Sequence, residues 1–223
     1  MEKEAPLSNI AKIILKHLLT LLIATFIVFT LMQCAPDDPG NIILEKPVIY
    51  LYPEETTDVT VELTLDGELT TVYPAYDDGW RVTAQPDGTL TGANDREYYC
   101  LYWEGESNAD FDLSRGFCVP GSETAAFLEN ALAQLGLTER EANEFIIYWL
   151  PQMEGNPYNL ITFQTDAYTD AAQLAISPAP DTLIRVFMVW QGLDAPANIA
   201  PQTLTAPNRR GFTVVEWGGS EIK

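Results

Sequence analysis

The sequence predicts an α+β domain with a β-rich N-terminal half, a central helical hairpin and C-terminal strands, preceded by an N-terminal apolar helix. Three observations carry this. Between Val59 and Gly92 apolar and polar residues alternate with period two, interrupted by Gly- and Pro-containing turns. From Ser122 to Pro151 the apolar period lengthens to that of a helix, and beyond Pro151 strand character returns. Strands that cluster, instead of alternating regularly with helices, favour α+β over a parallel α/β sheet.

The chain opens with Lys12, Lys16 and His17 ahead of an uncharged, mostly apolar run from Leu18 to Met32, which ends at Gln33-Cys34-Ala35-Pro36-Asp37-Asp38. The run is shorter than the roughly 20 residues of a spanning helix, has its cations on the N-terminal side and stops at an acidic stretch. Residues 1–34 therefore read as an export signal or membrane anchor. Leu31-Met32-Gln33-Cys34 resembles the lipobox of bacterial lipoproteins, with Gln33 where that pattern has a small residue. That resemblance implies a lipid on the Cys34 thiol. The other reading is an uncleaved anchor lengthened by Ile13 to Leu15, with Lys16 snorkelling to the interface. Both readings are membrane-anchored with Pro36 onward extracytoplasmic. Residues 35–46 read as a tether and residues 47–223 as a single domain.

Ordered structure is expected from Val48-Ile49-Tyr50-Leu51-Tyr52. Val59, Val61, Leu63 and Leu65 then alternate with polar residues up to Asp66-Gly67, a two-residue signal for a tight hairpin. A second hairpin fits Gly79 to Gln85 and Thr89 to Gly92 around Pro86-Asp87-Gly88. Glu97 to Trp103 alternates as a strand, and Gly116 to Val119 is expected to return against it, which would set Cys100 opposite Cys118 as a disulfide suited to an oxidising compartment. Two free buried thiols are the alternative.

Phe127, Leu128, Ala131, Leu132 and Leu135 form a helical stripe ended by Gly136, and Thr138-Glu139-Arg140-Glu141 is a capping box that starts a second helix running to Pro151. Strands are expected at Leu160 to Gln164, Leu183 to Gln191 and Phe212 to Trp217, with a short helix opened by Thr169-Asp170 and a Pro/Ala-rich loop from Ala195 to Pro207.

Composition excludes several functions. The chain carries 32 acidic and 12 basic residues, a net charge of −20, so phosphate backbones are repelled and nucleic acid is not an expected partner. The second helix of the hairpin would turn Glu139, Glu141 and Glu144 toward phosphates if read as a DNA reader. The only histidine, His17, lies beside the apolar run, so the exported part lacks an imidazole for Ser/His/Asp or Cys/His catalysis and for His-ligated zinc. Gly218-Gly219 has no helix after it to cradle phosphate, so nucleotide is not expected either.

Carboxylate chemistry survives this screen. Tyr102-Trp103-Glu104-Gly105 and Val215-Glu216-Trp217-Gly218 each set a carboxylate beside a tryptophan, where an indole face can stack on a sugar and a neutral acid can donate a proton. Trp103, Trp217 and Trp190 are thus candidate binding residues, and Glu104 and Glu216 candidate catalytic ones should the protein hydrolyse glycans. Strand alternation puts Glu216 on the face of Phe212 and Val214, and if that face is buried its partner must come from Arg185, Arg209 or Arg210.

Calcium was the one cofactor to weigh. Asp110, Asp112 and Ser114 match the first three ligand positions of a calcium loop, but Arg115 takes the glycine position and Gly121 the bidentate glutamate's. No metal ligands are assigned.

Lys46-Pro-Val-Ile-Tyr-Leu-Tyr-Pro-Glu54, Tyr148-Trp-Leu-Pro151, Asn156-Pro-Tyr-Asn-Leu-Ile161 and Gly211-Phe-Thr-Val-Val-Glu-Trp-Gly-Gly219 resemble a group of uncharacterised bacterial and fungal proteins that open and close on nearly these words. The resemblance covers about residues 45 to 219 and implies one continuous domain, with no assigned activity. Tyr50, Tyr52, Trp149 and Tyr158 are either walls of one cleft or core aromatics. The expected function is a membrane-tethered envelope module of unknown activity with a binding or structural role, toward carbohydrate or another envelope protein, the alternative a carboxylate-dependent glycan hydrolase.

Overall fold

The computed structural model describes residues 42–222. The apolar run, Cys34 and the first part of the tether lie outside them. Twelve strands fall into a seven-stranded and a five-stranded sheet, with a short helical pair between β8 and β9 in the chain.

The seven-stranded sheet has the order β3-β7-β1-β12-β11-β9-β8. Its middle is formed by β1 (Ile42–Tyr52), β12 (Thr213–Glu221) and β11 (Thr182–Leu193). β1 starts upstream of Val48, within the stretch read as tether. It is interrupted by a register shift between Glu45 and Val48, where Lys46 takes a left-handed conformation at φ 61°. Residues 47–51 of β1 and 213–220 of β12 are buried without alternation, because both faces of these central strands are covered. β12 pairs antiparallel with β1 and parallel with β11.

On one face of this sheet lie α1 (Thr124–Gln134) and α2 (Glu139–Met153), packed through Leu128, Leu132, Phe145 and Trp149 onto Val48, Val186, Val215 and Trp217. The expected capping box is present: the Thr138 side chain accepts from the Glu141 amide, and the Glu141 carboxylate accepts from the Thr138 amide at 2.8 Å. On the other face lies the five-stranded sheet β10-β2-β4-β5-β6, whose Val59, Val61, Trp80 and Val82 meet Ile49, Leu51, Val189 and Val214. The result is three layers, helices on sheet on sheet.

The turn at Pro86-Asp87-Gly88 joins β4 (Trp80–Ala84) to β5 (Leu90–Gly92) as expected. The expected hairpin at Asp66-Gly67 does not form. β2 (Thr57–Leu65) pairs with β4 and β10 (Ala172–Ser177), whereas β3 (Gly67–Tyr73) pairs with β7 (Leu101–Ser107) in the other sheet. Asp66-Gly67 is therefore the corner at which the chain changes sheets. The short helix also differs: α3 spans Asp166–Ala171, earlier than Thr169-Asp170 implied, and the residues after it form the edge strand β10.

The expected disulfide is corrected. Cys100 and Cys118 are free thiols. β7, which follows Cys100, and β8 (Phe117–Pro120), which contains Cys118, do not pair; β1, β12, β11 and β9 (Tyr158–Gln164) stand between them. At about 4.8 Å per strand that is roughly 24 Å, far beyond the 7 Å or so a disulfide tolerates between Cα atoms.

The long connection from β11 to β12 is tied down at several points. Gln202 reaches Phe163 as a strand would, accepting from its amide at 2.8 Å and donating to its carbonyl at 3.0 Å. Arg115 donates to the Pro201 carbonyl, and Arg209 donates to the Gly136 carbonyl at the turn between α1 and α2.

Candidate functional site

The four residues singled out as two Trp-Glu pairs do not share one cleft. Trp103 and Glu216 meet between the two sheets, where Trp103 Nε1 donates to Glu216 Oε1 at 3.1 Å. Arg185, opposite Glu216 in the β11–β12 ladder, donates from Nε to Oε2 at 2.6 Å. Both partners of this ion pair are shut away, with side-chain exposures of 7% for Arg185 and 0% for Glu216. The guanidinium lies over the Tyr168 ring, 4.6 Å from its centroid, and that ring stacks on Phe187 at 4.1 Å. Burial and the Glu216 carboxylate hold the Tyr168 phenol far above its ordinary pKa.

Trp217 and Trp190 belong to the opposite face, under the helices, and are buried. Glu104 also projects to the helix side, beside Tyr102, where it accepts from the Lys46 amide at 3.2 Å. Alternation along β7 thus sends Trp103 one way and Glu104 the other. Glu104 and Glu216 do not flank a common space, and all three indoles are buried, Trp217 alone reaching the lining of an open hollow, the one beside Lys46 and Tyr148. Among the described residues, no group of three or more His, Cys, Asp or Glu is arranged to hold a metal; the Asp112 carboxylate accepts from the Ser114 amide at 2.8 Å.

The open site lies elsewhere, where the C-terminal half of β1 runs beside the first turns of α2. Tyr50 and Tyr52, two apart on β1, share a face and lie with parallel rings, centroids 6.3 Å apart and planes 3° apart. They line a cleft of about 440 Å³ with Tyr99, Thr138, Arg140, Glu141 and Arg209. The β4–β5 turn closes its rim. Gly88 there has φ +89°, and a Cβ would come within 2.7 Å of Tyr52 Cε1, so glycine serves both the turn and the contact.

Glu141, Arg209 and Tyr50 are held in place by the fold. Glu141 is buried at the start of α2 and joined to Arg209 by two hydrogen bonds, while the Arg209 guanidinium lies over the Tyr52 ring at 5.9 Å. Tyr50 donates its hydroxyl proton to Glu144 Oε2 at 2.6 Å, and Arg140 approaches the other oxygen of Glu144 at 3.7 Å. Burial, reinforced by those carboxylates, raises the pKa of both Tyr50 and Tyr52, so both phenols keep their protons as hydrogen-bond donors. Burial, helped by Glu144, likewise pushes the neighbouring Cys100 thiol up to about 11.

A second hollow of about 350 Å³ adjoins the first, lined by Lys46, Glu144, Ile147, Tyr148 and again Tyr99. Lys46 Nζ sits over the Tyr102 ring at 5.2 Å and the Tyr148 ring at 5.6 Å. Burial and the Glu45 and Glu104 carboxylates raise the Tyr148 phenol to about 12. Tyr99 and Ile147 are 55% and 74% exposed, two of the five large apolar side chains left open to solvent among the described residues, and both line this hollow.

The Tyr50-Leu-Tyr52 alternation was the one sequence signal for this site. Of its other candidate walls, Trp149 is on the buried face of α2, in the core against the sheet, and Tyr158 pairs with Leu193 and Pro120 on the β8 side of the sheet. The contributions of Tyr99, Arg140 and Arg209 depend on which segments fold against β1, and no local pattern carries that.

Over 64 residues the chain is 44% identical to a Butyrivibrio fibrisolvens protein described as "Uncharacterized protein in bglA 3'region", the match taking in 27% of this chain. It covers 66% of that relative, just under two thirds of its length. No family model matches the chain. No solved structure matches it.

Proposed function

We propose that the protein is a membrane-tethered, extracytoplasmic α+β binding module of the cell envelope, and that it takes carbohydrate in the tyrosine-lined cleft beside α2. The observation that carries this reading is the joining, in one open cleft, of an exposed aromatic, Tyr99, to polar groups on Tyr50, Arg140 and Arg209. Sugar rings present an apolar face and a rim of hydroxyls, and such a lining serves both. The apolar run Leu18–Met32 supplies the tether, with Cys34 lipidated or the run itself uncleaved.

Binding is preferred to hydrolysis on the arrangement of carboxylates. Glu216 is held in a buried ion pair, and Glu104 faces away from it. In the cleft Glu141 is held by Arg209, and Glu144 of the adjoining hollow accepts from Tyr50. A glycan array probed with the full chain in detergent, alongside a reducing-sugar assay on the glycans retained, tests the proposal. Retention that is lost in Tyr99→Ala, with no sugar released, is the expected result. Sugar release would favour the hydrolase, and a blank array would end the carbohydrate reading.

A further inference from the structure

We infer that the site takes a linear oligosaccharide laid along α2 across Tyr99, with one sugar ring to either side, in preference to a single sugar. This rests on the carbohydrate reading above and adds a length to it. The two hollows are neighbours: Tyr99 lines both, and Tyr50 of the first is hydrogen-bonded to Glu144 of the second. That hydrogen bond links a wall of one hollow to a wall of the other, and the Tyr99 ring lies 6.5 Å from the Tyr50 ring. From Glu141 to Tyr148 the helix advances by about 10 Å at 1.5 Å per residue, longer than one pyranose ring.

Each hollow has its own fixed cation. Arg209 is held by Glu141 and the Gly136 carbonyl at one end, and Lys46 lies between two tyrosine rings at the other. The exposed apolar side chains, Tyr99 at the junction and Ile147 beyond it, offer surfaces to successive ring faces. A single sugar would occupy one hollow and leave the other hydrated. A chain of two or more rings covers both and meets a cation at each end.

Calorimetric titration of the full chain with N-acetylglucosamine and glucose, and with their β-1,4-linked oligomers up to the hexamer, tests the inference. Affinity is expected to rise about tenfold or more from one ring to two or three, then level off. Arg140→Ala in the first hollow and Ile147→Ala in the second, both on the exposed side of α2, should each weaken trimer binding by about three- to tenfold with melting temperature unchanged. Equal affinity for monomer and hexamer, or a trimer indifferent to Ile147→Ala, overturns the inference while leaving carbohydrate binding intact. Failure of both series at every length overturns the inference and the carbohydrate reading together.

Discussion

Glu216 shows what a charge costs when two sheets close over it. Its carboxylate is satisfied by Arg185 Nε and Trp103 Nε1, and neither side of the ion pair is open to water that could compensate for losing the other. Glu216→Gln keeps an acceptor for the indole but strands the Arg185 guanidinium in the interior. Urea unfolding should find it destabilised by about 3 kcal/mol. Replacing both residues, Arg185→Leu with Glu216→Leu, should cost less than the sum of the single changes, because the double variant leaves no unpaired charge. Additive losses would mean the two groups act independently. Period-two alternation was enough to place Glu216 on the face of Phe212 and Val214 and to bring Arg185 among its possible partners. It could not supply Trp103, which reaches Glu216 from β7 across the intervening β1, a proximity set by strand order alone.

Among the elements, those defined by neighbours in sequence are the legible ones, and the Thr138–Glu141 capping box and the β4–β5 turn form where their residues indicate. Asp66-Gly67 was misread because a two-residue turn signal states that the chain changes direction, not which sheet receives the next strand. At this corner Gly67 has φ +150°, and a Cβ would run into the Glu106 carbonyl of β7. Ser107 locks the turn by donating its hydroxyl proton to the Asp66 carbonyl at 2.9 Å. Gly67→Ala should therefore lose about 2 kcal/mol or more in urea unfolding, through strain and clash together. Gly155→Ala, where an added Cβ meets nothing within 4 Å, should stay within about 0.5 kcal/mol of the parent. Equal behaviour of the two variants would remove the corner's special role. The Cys100–Cys118 pairing failed for a related reason, since a strand that could return as a hairpin was instead placed at the opposite edge of the sheet.

For the molecule as a whole, the tyrosines of the trough and core set an alkaline limit. Tyr50, Tyr102, Tyr148 and Tyr168 are all raised, chiefly by burial, whereas in the unfolded chain each releases its proton near pH 10. Below about pH 10 both states hold these protons and stability is independent of them. Above it the unfolded state holds fewer, so stability falls as pH rises. The urea midpoint should stay level from about pH 8 to 9.5 and drop beyond about pH 10, with tyrosinate absorbance appearing together with unfolding. A level midpoint up to about pH 11 would contradict the buried placement of these phenols. The sequence made the class of fold legible, through its change of period at Ser122 and its return to strands after Pro151, but the site is assembled from β1, the β4–β5 turn, α2 and the residues before β12, which only the finished topology gathers. That topology also governs how the protein is made. β12 enters the middle of the seven-stranded sheet, with Val48 of the first strand against its Trp217, so the β3-β7-β1 and β11-β9-β8 halves of that sheet are joined only through it. Until residues 213–221 arrive, β1 and β11 are two open edges with nothing between them, so the seven-stranded sheet is completed only by the last strand in the chain.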